Sequence, residues 1–202
     1  ALAAFDIRQA LVANATYQLP GRGLSGVAGH VLGGWQLSGV LSLRGGNPFS
    51  PDPGITPGNF TNMTSYPDRV GPIRYDTRNP DHYFDPTAFA FPLGYIPSES
   101  AQIGGSFVGN SGRHVLTGPG SATMDLVLQK SFPVTERVSL NFRSEFYNLL
   151  NRVNFNMPDN AIFTQAVIQA DGTRGVYNPQ AGRIDSTRGN PRQLQFGLRM
   201  EF

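Results

Sequence analysis

The chain has 202 residues, a formal net charge of +2 and no cysteine, which excludes disulfides and thiolate metal sites. Its basic residues are scattered arginines and one lysine, Lys130, so they form no basic stripe and predict no nucleic-acid partner. Charged residues are only 15% of the chain, while 24 glycines and 16 prolines favour turns and loops over helices.

Five segments alternate apolar and polar residues, as a β-strand does when one face is apolar and the other polar. In chain order they predict strands near 5–19, 33–45, 122–132, 137–149 and 191–202. The pattern is weakest in the first segment, around Leu11, and most regular in the last, which ends on Phe202. Each alternating core spans about nine residues, and a membrane β-strand needs about 9–11.

The connections between these strands differ greatly in length. Residues 133–137 form a tight turn and 20–34 a moderate connection, whereas 45–121 and 150–190 are long and rich in Pro, Gly, Asn and Asp. Compact soluble domains rarely contain such loops, but outer-membrane barrels alternate short periplasmic turns with long outer loops. The chain is therefore predicted to be all-β: an antiparallel transmembrane β-barrel fragment, a curved meander sheet with long outer loops.

Placing the short turn in the periplasm gives every strand a direction. The periplasmic ends then carry a girdle of aromatic residues on the apolar parity, as expected at a membrane interface. Its predicted members are Tyr17, Trp35, Phe132 and Phe202. Lys130 shares that parity near the boundary, where its ammonium is expected to reach water.

The two parities predict the two faces of the wall. Residues expected to face lipid are Leu126, Leu128, Leu140, Phe142, Leu198 and Met200. Residues expected to face a wet lumen are Asp125, Asn141, Arg143, Glu145 and Arg199. A soluble β-sandwich also alternates, so a β-rich carbohydrate-binding module is an alternative.

Five strands are too few for a single-chain outer-membrane barrel, which has at least about 8. We therefore expect residues 1–202 to be the C-terminal portion of a larger barrel in the bacterial outer membrane.

Several short motifs resemble the barrel of Oar-like TonB-dependent outer-membrane receptors. They are GWQLSG at 34–39, GGNPF at 45–49, GNSGR at 109–113 leading to GPG at 118–120, FRSEFYNLLN at 142–151 with Asn154-Phe155 after it, and PRQLQF at 191–196. The resemblance runs from about Phe5 to Phe202 and rests on the order and spacing of these motifs together.

This resemblance implies a barrel of about 22 strands filled by an N-terminal plug. It also implies ligand uptake driven by TonB, with the parent protein supplying the plug and the TonB contact. The expected partners are outer-membrane lipid, the rest of the barrel, the plug and TonB. A passive porin or structural barrel is the alternative.

No combination of residues predicts an enzyme, a cofactor or a metal site. Asp81, His82 and Asp85 are too few ligands to fix a metal geometry and are better explained as turn residues. Asp125 and Glu145 share a parity and could suggest glycosidase carboxylates, but a charged wall with Arg143 as a partner is favoured. His30 and His114 are predicted in loops, and Ser38 and Ser111 lack the context of a nucleophile.

Overall fold

The computed structural model of the chain describes residues 2–20, 26–55, 65–92, 109–169 and 172–202. The described strands, in chain order, are β1 (Ala10–Gln18), β2 (Trp35–Arg44), β3 (Pro48–Phe49), β4 (Asp68–Arg69), β5 (Phe89–Ala90), β6 (Leu116–Thr117), β7 (Ser121–Pro133), β8 (Ser139–Tyr147), β9 (Phe163–Gln169), β10 (Gly172–Tyr177) and β11 (Gln193–Glu201). One α-helix, α1 (Gly26–Leu32), and one 3-10 helix, Pro86–Ala88, accompany them. None of the described helices is long and apolar enough to cross a membrane.

The chain divides into two compact units. The sheet unit comprises Gln9–Gly45, Ser121–Asn154 and Arg188–Phe202. The loop unit comprises Ala1–Arg8, Gly46–Gly120 and Phe155–Thr187.

The sheet unit contains one five-stranded sheet in the order β1-β2-β7-β8-β11, and every neighbouring pair is antiparallel. The long strands are thus neighbours in chain order, and the predicted all-β meander is confirmed. The first strand is shorter than predicted, since it begins at Ala10, whose partner Arg44 is the last residue of β2.

At one end of the sheet, a short turn joins β7 to β8, and a connection of moderate length joins β1 to β2. The β7–β8 turn is tight, because the backbone N–H groups of Val134 and Thr135 both donate to the carbonyl of Val138. The 20–34 connection, predicted as a loop, contains helix α1. Gly34, with φ of 78°, takes the left-handed conformation that commonly follows a helix.

The loop unit is a folded body with its own core, although its segments were predicted only as long loops. Strands β3 and β6, β4 and β5, and β9 and β10 form three small antiparallel pairs. The buried core consists of Tyr83, Phe84, Ala88, Phe89, Phe91, Leu116, Ile162, Phe163 and Ile184. A bridge between Asp52 and Ala161 joins the two long connections, so they fold together.

Short side chains organise the backbone of the loop unit. A carboxylate or amide oxygen accepts a hydrogen bond from the backbone N–H two residues later, which is the Asx-turn arrangement. This bond is made by Asp52, Asp76, Asn79, Asp85, Asp159 and Asn178. The Asp- and Asn-rich composition of these segments therefore produces a series of fixed turns.

Candidate functional site

In all five long strands every second residue is mostly apolar, and the strand register places these residues on one face of the sheet. Across the sheet, Ala13 pairs with Leu41 and Leu41 with Met124, while Leu126 pairs with Phe146 and Phe146 with Leu194. This apolar face consists of Leu11, Ala13, Ala15, Tyr17, Trp35, Leu37, Gly39, Leu41, Leu43, Ala122, Met124, Leu126, Leu128, Lys130, Phe132, Leu140, Phe142, Ser144, Phe146, Leu194, Phe196, Leu198 and Met200. An error of one residue in any register would have mixed the two parities, so the partition is a property of the whole sheet.

The opposite face, here called the polar face, carries all five residues predicted to face a lumen. Asn141 pairs with Arg199, Gln129 with Arg143, and Val127 with Glu145, while Asp125 pairs with Val40. The register therefore brings Asp125, Asn141, Arg143, Glu145 and Arg199 together on one surface.

The charges of the polar face are arranged in pairs along single strands. Nε of Arg143 lies 2.6 Å from Oε1 of Glu145, and the hydroxyl of Tyr147 donates to Oε2 of Glu145 over 2.8 Å. Nε of Arg199 lies 3.4 Å from Oε1 of Glu201. Exposed pairs of this kind contribute about 0–1 kcal/mol to folding, so their main effect is to fix a pattern of donors and acceptors.

The two carboxylates considered for glycosidase chemistry are engaged by different partners. Asp125 accepts a hydrogen bond of 2.8 Å from the backbone N–H of Asn148. Glu145 is held by Arg143, the partner that the sequence predicted, and by Tyr147, which it did not. Asp125 therefore fixes the chain where it leaves β8, and Glu145 belongs to the charged surface.

A groove of about 560 Å³ runs along the polar face where β7, β8 and β11 lie side by side. Its polar lining includes Gln129, Asn141, Arg143, Arg199 and Glu201. The amides and guanidinium groups offer donors and the carboxylate an acceptor, so the groove suits a polar ligand or a polar protein surface.

The ends of the strands near the β7–β8 turn bring two of the predicted girdle residues into contact. The rings of Trp35 and Phe132 lie edge to face with centroids 6.4 Å apart, and Phe142 approaches Trp35 at 6.1 Å. Tyr17 lies on the same face near the same end, and Phe202 follows the last residue of β11. The sequence reasoning missed Phe142 as part of this cluster, although its parity was correctly identified.

The sequence predicted that the ammonium of Lys130 reaches water. This prediction is wrong, because Lys130 is only 4% exposed. Its ammonium donates to the carbonyls of His30 (2.5 Å) and Val31 (2.9 Å) at the end of α1. It also lies 5.4 Å from the centre of the Trp35 ring and 4.6 Å from that of Phe132. The negative end of a short helix and two aromatic rings thus replace its water shell.

Three asparagines follow β8 at the end of the sheet opposite the β7–β8 turn. The sequence prediction did not identify them as functional. Asn148 and Asn151 have φ of 47° and 48°, a conformation that asparagine tolerates better than most residues. Asn148 donates to the carbonyls of Arg152 and Asn190, and Asn154 bonds both backbone groups of Ala122. The recurring asparagines of the FYNLLN motif are the sequence signal that could have identified this corner.

In the loop unit, the Asp81, His82 and Asp85 segment forms turns, as the sequence predicted. Asp85 caps the 3-10 helix through the backbone N–H and the hydroxyl of Thr87, and these hydrogen bonds lower the pKa of Asp85. Oδ1 of Asp81 lies 3.5 Å from Nε of Arg183. Within the described ranges, no group of three His, Asp or Glu residues is placed to hold a metal.

The remaining candidates are also built into the fold. His114 contacts the carbonyl of Leu2 through its ring, and Ser38 shares a hydrogen bond of 3.1 Å with Thr16 on the polar face. His30 lies in α1 and not in a loop, which corrects the prediction. Ser111 is buried, and its hydroxyl has no hydrogen-bond partner within the described residues.

Residues 1–195 match the family described as outer membrane beta barrel domain. The chain belongs to this family. Its all-β meander is thus part of a β-barrel in the bacterial outer membrane, a location that argues against the soluble carbohydrate-binding alternative. Searches of curated proteins and of solved structures returned no match.

Proposed function

We propose that this chain forms part of the wall of a TonB-dependent receptor, which binds a ligand and imports it across the outer membrane without chemical conversion. The observation that carries the proposal is the register, which sorts five strands into one apolar and one polar face. In a membrane barrel such a sheet faces lipid on the apolar side and the lumen on the polar side.

The strand count supports a larger barrel. In the part of the chain that the structure describes, β1 and β11 each have one paired neighbour in the five-stranded sheet. Unpaired strand edges do not occur in the hydrocarbon region, and bacterial single-chain barrels have at least about 8 strands. Further strands of the parent protein would close the wall against β1 and β11.

The proposed assignment to TonB-dependent receptors rests on the motifs that resemble Oar-like barrels. Two of them have clear structural roles in the sheet unit. Trp35 of GWQLSG begins β2 and contacts Phe132, and Asn148 of FRSEFYNLLN holds the corner after β8. The polar groove would then face the proposed plug or the passing ligand.

Energy coupling is tested on the complete gene product in two measurements. In planar bilayers, a plugged receptor should show no steady open-channel conductance, whereas a passive porin should conduct without any partner. In a pull-down, the purified periplasmic domain of TonB should retain the detergent-solubilised protein. A steady conductance together with no retention by TonB would replace the receptor proposal with the passive porin.

A further inference from the structure

We infer that helix α1 is a membrane-interface element, which the apolar face holds against the leaflet at the β7–β8 turn end of the sheet. The inference rests on the proposed function in one respect, namely that the apolar face contacts lipid. It adds a lipid-contacting surface outside the strands.

Side chains of the sheet hold the C-terminal end of α1. Two side chains of the apolar face reach the last turn of the helix. The ammonium of Lys130 bonds the carbonyls of His30 and Val31, and the indole N–H of Trp35 donates to the carbonyl of Val31 over 3.0 Å. The C-terminal end of α1 therefore lies on the apolar side of the sheet.

These contacts determine where the helix forms. A helix of 7 residues that includes Gly26 and Gly29 is too short and too rich in glycine to be stable alone. Its last carbonyls have no partner within the helix, and in a low-dielectric environment they must find donors. Lys130 and Trp35 supply these donors, so both are positioning residues for α1.

Helix α1 exposes apolar side chains. The side chains of Val27, Val31 and Leu32 are 80%, 55% and 58% exposed, and the helix carries no Asp, Glu, Lys or Arg. The backbone of Val31 is bonded to Trp35 of the Trp35–Phe132 cluster, where an aromatic girdle is expected to meet the lipid headgroups. Because the helix continues the apolar face at its edge, its exposed side chains contact the boundary between lipid headgroups and acyl chains.

The experiment places a fluorescent bimane on single cysteines in the full-length protein, reconstituted in phosphatidylethanolamine and phosphatidylglycerol vesicles. This chain contributes no cysteine of its own, so Val31→Cys introduces the only thiol in it. Nitroxide-labelled lipids report contact with the membrane, and soluble iodide reports contact with water. Gln36→Cys, on the polar face near the same end, is the matched control, and Leu140→Cys is the reference for the apolar face.

We expect the Val31 label to be quenched by nitroxides near the headgroups and protected from iodide, with little quenching at Gln36. Lys130→Met should reduce lipid quenching at Val31 and leave it unchanged at Leu140, whereas Lys130→Arg should retain it. Trp35→Phe removes the indole donor but keeps an aromatic ring beside Lys130, so it should cause a smaller loss and keeps the test usable if Lys130→Met fails to assemble.

Iodide quenching of Val31 without lipid quenching, while Leu140 is quenched by lipid, would overturn the inference and leave the proposed faces intact. A Leu140 label without lipid quenching would instead overturn the assignment of the faces. Unchanged quenching at Val31 in assembled Lys130→Met would show that Lys130 does not position α1.

Discussion

The two units use their apolar residues in opposite ways. In the sheet unit, Phe196 and Leu198 are each 66% exposed although they lie in the most regular alternating segment of the chain. In the loop unit, Phe84 and Phe89 are 1% and 0% exposed although no simple periodicity surrounds them. The regular pattern is therefore associated with an uncovered face, and the irregular pattern with a buried core.

This difference follows from the environment that each unit requires. A soluble protein rarely leaves a large contiguous apolar surface open to water, so an apolar face of this size marks an interaction surface. In the outer membrane, lipid covers such a face. The loop unit excludes water from its own aromatic side chains, so its stability should respond to mutation like that of a small soluble domain.

The largest expected effect is therefore the loss of a core aromatic residue from the loop unit. Phe89→Ala should destabilise this unit by about 3–5 kcal/mol, because it removes a fully buried ring and leaves a cavity. Hydrogen exchange of loop-unit amides in the full-length protein measures the change. Phe196→Ala on the exposed apolar face is the control and should leave those amides unaffected; equal losses of protection in both variants would contradict the comparison.

A charge on the apolar face should produce the next largest effect. Leu126→Arg should cost about 2–4 kcal/mol in the assembled barrel, because Leu126 lies in the middle of β7 and a guanidinium near the bilayer midplane loses its water. Val127→Arg, one residue along on the polar face, should cost far less. Folding titrations of the full-length protein into lipid vesicles measure both substitutions.

Val138→Arg provides the depth control for this prediction. Val138 precedes β8 and accepts the turn hydrogen bonds through its backbone carbonyl, which the substitution leaves in place. In a membrane its cost should be well below that of Leu126→Arg, because the penalty falls toward the interface. Equal costs at the two positions would argue against membrane embedding of these strands.

Alkaline pH should weaken the loop unit through Tyr83. Burial, and secondarily the charge of Tyr75, raises the pKa of Tyr83 from 10.0 to about 12. The folded-state pKa lies above the unfolded one. The contribution of protonated Tyr83 to the free energy of unfolding is therefore fully present below pH 10 and is lost as the pH rises toward 12. The loss should reach about 2 kcal/mol and should be absent from Tyr83→Phe. Near-ultraviolet circular dichroism of both proteins across this range measures it; identical transitions would contradict the prediction.

The smallest expected effect concerns a buried hydroxyl on the apolar face. Ser144 is 3% exposed, and its hydroxyl has no hydrogen-bond partner in the described part of the chain. Ser144→Ala should leave stability unchanged or raise it by up to about 1 kcal/mol, because an unsatisfied polar group is removed. Vesicle folding titrations measure this, with Ser38→Ala, which loses the bond to Thr16, as the control. A loss above about 1 kcal/mol would reveal a role for the hydroxyl.

The strands could be predicted from the sequence because their signal is local. The alternation around Leu140 or Leu198 is visible within nine residues, and it identified the residues of both faces that the register then placed together. The loop unit could not be predicted in this way, because its contacts join distant segments. The amide of Asn160 donates to the carbonyl of Ser50, 110 residues away.

Helix α1 was missed for the same physical reason. Its two glycines and its length predict no helix, and the residue that satisfies its last carbonyls, Lys130, lies 100 residues from His30. The sequence indicated which face of the sheet carries Lys130, but it did not indicate that its ammonium bonds the carbonyls of His30 and Val31. Predicted interactions with lipid, the plug and TonB depend on molecules outside this chain and remain predictions.

The most direct test of the central claim is a lipid-contact scan along β8 in the full-length protein. Single cysteines from Ser139 to Tyr147 would carry a bimane and be exposed in turn to nitroxide-labelled lipids and to iodide. Quenching by lipid should alternate along β8, high at Leu140, Phe142 and Phe146 and low at Asn141, Arg143 and Glu145. Uniform quenching along β8, or strong lipid quenching at Asn141, Arg143 and Glu145 instead, would contradict the assignment of the apolar face to the membrane.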